Sequence, residues 1–120
     1  MYRSLDCLTI LYELMKIIHS ISKEKGFYDK VNQYDPYFIA TQISNMHSEL
    51  SEALECLRDN DLGIRYGVNG KPEGFTVELA DCVIRIFDTC QSLGLPLANA
   101  ISEKIEYNKT RSYKHGRKNW

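Results

Sequence analysis

Apolar residues recur at helical spacing in four separate segments, and that periodicity confines the chain to an all-α fold. The clearest stripe is Ile39, Ile43, Met46, Leu50, Ala53 and Leu57, stepping by four, three, four, three and four. Asp35 followed by Pro36 marks its start, an N-cap oxygen ahead of a proline at the first helical position, and the helix is predicted to run to about Arg58. A first helix is predicted from about Ser4 to Lys25 on Leu8, Leu11, Met15, Ile18 and Ile21, closed by Gly26. A third runs from Phe75 or Thr76 to about Ser92 on Leu79, Ala80, Val83, Ile84, Phe87 and Cys90, with Gly94 ending it. A fourth runs from Pro96 to about Arg111, with Leu97, Ala100, Ile101 and Ile105 inward. Strand signals are weak throughout, so the expected architecture is a four-helix bundle.

Between the second and third helices, residues 60–74 read as a long glycine-punctuated loop with an Asn69-Gly70 turn signal. Connections of that length are often functional. Lys71 in this loop is either a phosphate contact or a solvated lysine. A chain of 120 residues forms one domain, 1–120, and the basic segment 112–120 is expected to be an irregular tail. The net charge of -1 exerts no general pull on nucleic acid or membrane. Cys7, Cys56, Cys82 and Cys90 form no C-x-x-C pair and read as small buried apolar residues in a reducing compartment. With no signal pattern and no apolar run of membrane-spanning length, a cytoplasmic location is expected. His19, beside the first apolar stripe, reads as a half-buried structural histidine.

Polar residues border the apolar stripes in a way that suggests chemistry. Gln42, Asn45, Glu49 and Glu52 follow one margin of the second helix, and Glu78, Asp81, Arg85 and Asp88 follow one face of the third. Residues three apart share a helix face, so Glu49-x-x-Glu52 and Glu78-x-x-Asp81 each present two carboxylates together. Packed against each other, the two helices would gather four negative charges. Such a cluster repels itself unless a cation sits in it, and an all-oxygen set suits Mg²⁺ or Mn²⁺. Glu55, three residues further along, is expected to be outer or surface. The chain lacks the Glu-x-x-His of di-iron bundles, a His-Glu-x-x-His zinc motif, a His-Asp pair, a phosphate-binding glycine loop and a G-x-S-x-G elbow. Lys104, Asn108 and Arg111 share a stripe on the fourth helix and could hold phosphate oxygens. The competing reading of each acidic pair taken alone is a solvated helix surface.

Taken together, these residues resemble a known family. Glu49-x-x-Glu52, 25 intervening residues, and Glu78-x-x-Asp81, with Gly70-Lys71-Pro72-Glu73-Gly74-Phe75 before the second pair, are similar to the signature of the MazG-like, all-α nucleoside triphosphate pyrophosphohydrolases. Lys104-x-x-x-Asn108-x-x-Arg111 and Lys114-His115-Gly116 extend the likeness, which covers about Gln42 to Lys118. The resemblance implies a bundle assembling as a homodimer or homotetramer, with sites formed partly across subunits. It implies Mg²⁺-dependent attack of water on the α-phosphorus of an NTP or dNTP, giving the monophosphate and pyrophosphate, in nucleotide-pool cleaning. Glu49, Glu52, Glu78 and Asp81 carry over as metal ligands, or one of them, Glu49 or Glu52 first, instead orients or deprotonates the water. Lys104, Asn108 and Arg111 carry over as phosphate contacts, while Asn45 and Gln42 are placed in the nucleotide pocket by helix geometry. Two other readings stay open: a related dUTPase-type hydrolase, and a non-catalytic helical interaction module whose basic tail binds a partner by charge.

Overall fold

Four helices account for most of the chain: α1 (Leu5–Glu24), α2 (Pro36–Arg58), α3 (Phe75–Leu93) and α4 (Leu97–Lys109). The structure is a computed structural model that describes residues 5–116; the predicted tail beyond 116 lies outside the described residues. The helix ends carry the expected chemistry. The Asp35 carboxylate accepts the Tyr37 N–H at 2.9 Å, capping α2. Gly94 closes α3 in the left-handed conformation at φ 69°. After α4, Tyr113–Gly116 forms a 3-10 turn where an irregular tail was predicted. No helix among the described residues is long and apolar enough to cross a membrane.

The 60–74 segment is more ordered than its composition suggests. β1 (Arg65–Tyr66) and β2 (Pro72–Glu73) pair antiparallel in a minimal ribbon. Asn69 and Gly70, both at positive φ (61° and 75°), form its turn, with the Lys71 N–H donating to the Val68 carbonyl at 3.3 Å. Arg65 ties the ribbon down, donating to Asp61 at 2.9 Å and to Glu73. Thr76 Oγ1 donates to the Leu62 carbonyl at 2.7 Å, and the Phe75 N–H to the Asp61 carbonyl at 2.9 Å. Gly74 is where the loop presses on the start of α3. Its φ is 120°, and a Cβ there would lie 2.5 Å from the Gly63 carbonyl oxygen. Gly74→Ala is therefore expected to cost about 1–3 kcal/mol, read as a lowered midpoint in urea unfolding.

The stripes do not face the way their polarity suggests. The core includes Met15, Ala53, Cys82, Phe87 and Ala98. On α2 the inward positions are Glu49 and Ala53, whereas Ile43, Leu50, Leu54 and Leu57 are 45–50% exposed. On α3, Asp88 turns inward while Leu79, Val83 and Ile84 are exposed. On α4, Ala98 is the buried residue, in place of the predicted Ala100 and Ile101, both exposed. Ile21 of α1 is also half exposed. Met15, Ala53 and Phe87 of the predicted stripes are buried as expected. Successive helical residues point about 100° apart, so a modest rotation of the packing axis brings Glu49 and Asp88 of the polar margins inside and leaves the other stripe residues partly exposed. Of the cysteines, Cys82 is buried as expected, but Cys7 is exposed.

Candidate functional site

Because α2 and α3 pack through their polar margins, the two acidic pairs meet. One carboxylate oxygen from each of Glu49, Glu52 and Glu78 lies within 4.8 Å of the others. Asp81 falls outside that set but lines the same cavity of about 450 Å³, together with the ribbon residues Arg65, Lys71 and Glu73. Glu49 is only 7% exposed and accepts from Arg85 Nε at 2.7 Å. This bond fixes the orientation of Glu49 across the α2–α3 interface. Glu52 is exposed and has no ion-pair partner among the described residues. Glu55, as expected, points outward and pairs with Arg58 at 2.7 Å.

Crowding has a measurable consequence. Burial, and then the charges of Glu52, Asp81 and Glu49, push the Glu78 carboxyl up to about 7. Burial and the charge of Glu49 raise Asp81 as well, with Arg85 and Lys71 opposing. A carboxyl whose folded-state pKa exceeds its unfolded value holds a proton that the unfolded chain has already released. Between roughly 4.5 and 7, the metal-free protein should therefore lose stability as pH rises. The expected result is a higher urea midpoint at pH 5.5 than at pH 8, a difference that Glu78→Gln reduces.

A second cavity of about 580 Å³ lies between α1, α2 and α3, and Glu49 and Asp81 line both cavities. Ile18, Phe38 and Ile84 contribute apolar wall, and Gln42 and Asn45 contribute carboxamides, so these two residues sit beside the acidic cluster. Part of the wall of this cavity is a polar network, with Ser22 and Asp88 lining it, that the sequence did not reveal beyond His19. Asp88, 8% exposed, accepts from Ser22 Oγ at 3.0 Å and Tyr28 OH at 3.1 Å, and lies 2.7 Å from His19 Nδ1. Burial and the Asp88 charge push the Tyr28 hydroxyl up to about 12. His19 is half-buried as expected; it ties α1 to α3 through Asp88, and Tyr28 ties the connector to the same carboxylate. Asp88's spacing from Arg85 marked a polar stripe, but its inward position in the cavity wall required the packing.

Lys104, Asn108 and Arg111 are not brought to the acidic cluster within this chain. They line neither cavity, all three are exposed, and Lys104 and Arg111 sit over the Tyr107 ring at 5.1 Å and 5.7 Å. α4 packs against α1, where the Tyr12 hydroxyl meets the Asn99 side chain.

The oxygen set fits a small hard cation. Octahedral Mg²⁺ with bonds of about 2.1 Å places ligand oxygens about 3–4 Å apart, close to the observed spread, and the exposed Glu52 has room to adjust. Comparisons with family models, with curated proteins and with solved structures gave no match.

Proposed function

We propose that the protein is a Mg²⁺-dependent nucleotide pyrophosphohydrolase converting an NTP or dNTP to the monophosphate and pyrophosphate. One observation carries this reading. Glu49 and Asp81 line both cavities, and Glu52 and Glu78, clustered with Glu49, line the smaller one. The larger has the apolar walls and the carboxamides of Gln42 and Asn45 that suit a nucleoside. The smaller is polar, with cations on its rim, and suits a phosphate chain. A substrate spanning both puts its α-phosphorus at the carboxylates, which favours release of pyrophosphate over release of the terminal phosphate.

Glu49, Glu52, Glu78 and Asp81 would hold Mg²⁺, with Mn²⁺ as a substitute. When bound, the cation supplies Lewis-acid stabilisation of charge on the phosphate chain. Arg85 keeps Glu49 in place, and Glu52, free of an ion pair among the described residues, takes the proton of the attacking water. The water oxygen bonds to the α-phosphorus, the bond from that phosphorus to the β-bridging oxygen breaks, and the electron pair leaves with pyrophosphate. In this reading the α4 residues Lys104, Asn108 and Arg111 reach phosphates only from a second copy. The exposed apolar residues of α1, α2 and α3, such as Ile17 at 56% and Leu54 at 48%, support a homodimer or homotetramer.

The test is pyrophosphate release from a panel of NTPs and dNTPs, dUTP included, with and without Mg²⁺. Release that requires the metal is expected. Absence of turnover for every nucleotide would leave the helical interaction module as the better account. Sedimentation is expected to show no monomer at micromolar concentration in the wild type, and Leu54→Glu should shift the population toward monomer.

A further inference from the structure

Two cations border the polar cavity, and their situations differ. Arg65 is committed, bridging Asp61 and Glu73 to hold the ribbon closed. Lys71 lines the same cavity, is exposed, and makes no ion pair among the described residues. A lysine beside several carboxylates would ordinarily close onto one of them. Here the ribbon holds its backbone in a bonded turn. The Lys71 carbonyl accepts the Gly67 N–H at 2.8 Å, its own N–H bonds Val68, and the next residue, Pro72, is paired with Tyr66. Gly74, two residues beyond Pro72, is locked against Gly63. The ammonium is thus carried on a braced turn, and its flexible stem reaches over the cavity with three free donors.

We propose that Lys71 is a catalytic residue that binds the departing pyrophosphate, with its charge supplied from within the same chain. This rests on the pyrophosphohydrolase reading above. The role follows from position. The nucleoside-sized cavity lies on the other side of Glu49 and Asp81, so what enters the Lys71 cavity is the β,γ end of the phosphate chain. As the bond between the α-phosphorus and the bridging oxygen breaks, the electron pair passes to that oxygen, and negative charge grows on the pyrophosphate. A lysine donor there binds the leaving group more strongly than the intact chain, so its removal lowers kcat as well as affinity.

The experiment compares Lys71→Ala, Lys71→Arg and Lys104→Ala with the wild type, using the nucleotide most rapidly hydrolysed in the panel. Lys71→Ala is expected to lower kcat/KM about a hundredfold and to raise the inhibition constant of added pyrophosphate about tenfold. Inhibition by the nucleoside monophosphate and binding of Mn²⁺ alone should be unchanged. Lys71→Arg is expected to restore most of the activity. Loss of Mn²⁺ binding in Lys71→Ala, or inhibition by pyrophosphate equal to that of the wild type, would overturn the assignment while leaving the hydrolase reading standing. A wild type that releases no pyrophosphate from any nucleotide would remove the reading beneath it.

Discussion

Glu49→Gln is expected to reduce Mg²⁺-supported pyrophosphate release by about 10²–10³-fold with the fold intact. Glu49 is the most enclosed of the clustered carboxylates and the point where both cavities meet. Glutamine has the same shape and can still accept from Arg85, so the 2.7 Å bond across α2 and α3 loses charge assistance but not geometry. What it cannot supply is the negative charge that attracts a divalent cation. The effect should therefore fall on metal-dependent turnover, leaving the circular dichroism spectrum and thermal midpoint near those of the wild type. Removing one of several crowded negative charges even relieves repulsion in the metal-free protein. A variant with wild-type turnover at limiting Mg²⁺ would show that Glu49 is a structural partner of Arg85 alone.

Asp88→Ala should produce the largest loss of stability. Asp88 is a buried carboxylate with donors converging on it from α1 and the connector: His19, Ser22 and Tyr28. Truncation leaves these part-buried donors without their common acceptor, and stranded donors cost more than an exposed hydrogen bond yields. The expected penalty is about 2–4 kcal/mol, seen as a fall in thermal midpoint of about 10 °C or more. Asp88→Asn, which retains one acceptor oxygen, should cost less. By contrast, Glu55→Ala breaks an exposed pair with Arg58 and should cost less than about 1 kcal/mol. An Asp88→Ala midpoint within a degree or two of the wild type would mean that the network holds nothing in place.

The helices were legible because their stops are chemical. Asp35-Pro36, Gly26 and Gly94 announce ends, and four of the predicted boundaries fall within one residue of Pro36, Arg58, Phe75 and Leu93. The acidic cluster was legible because two i, i+3 pairs on neighbouring helices meet whenever those helices pack through the faces carrying them. What the sequence left open was which face that is. The polar margin containing Glu49 and the apolar stripe containing Leu50 lie only a residue apart, and the inward choice depends on the neighbour. Ile43, Leu50 and Leu57 look like core in the sequence but are about half exposed in the single chain. The ribbon escaped because strands of two residues are too short for any period to register. The stripe of Lys104, Asn108 and Arg111 was readable as a stripe, but one helix cannot report which surface it will face.

The most direct test of the account is titration of the metal-free protein with Mn²⁺, followed by electron paramagnetic resonance, for the wild type and for Glu49→Gln, Glu78→Gln and Glu55→Gln. Saturable binding is expected in the wild type and in Glu55→Gln, with affinity at least about tenfold weaker in the other two. Equal binding by all four proteins, or none by the wild type, would contradict the claim that these carboxylates form a metal site.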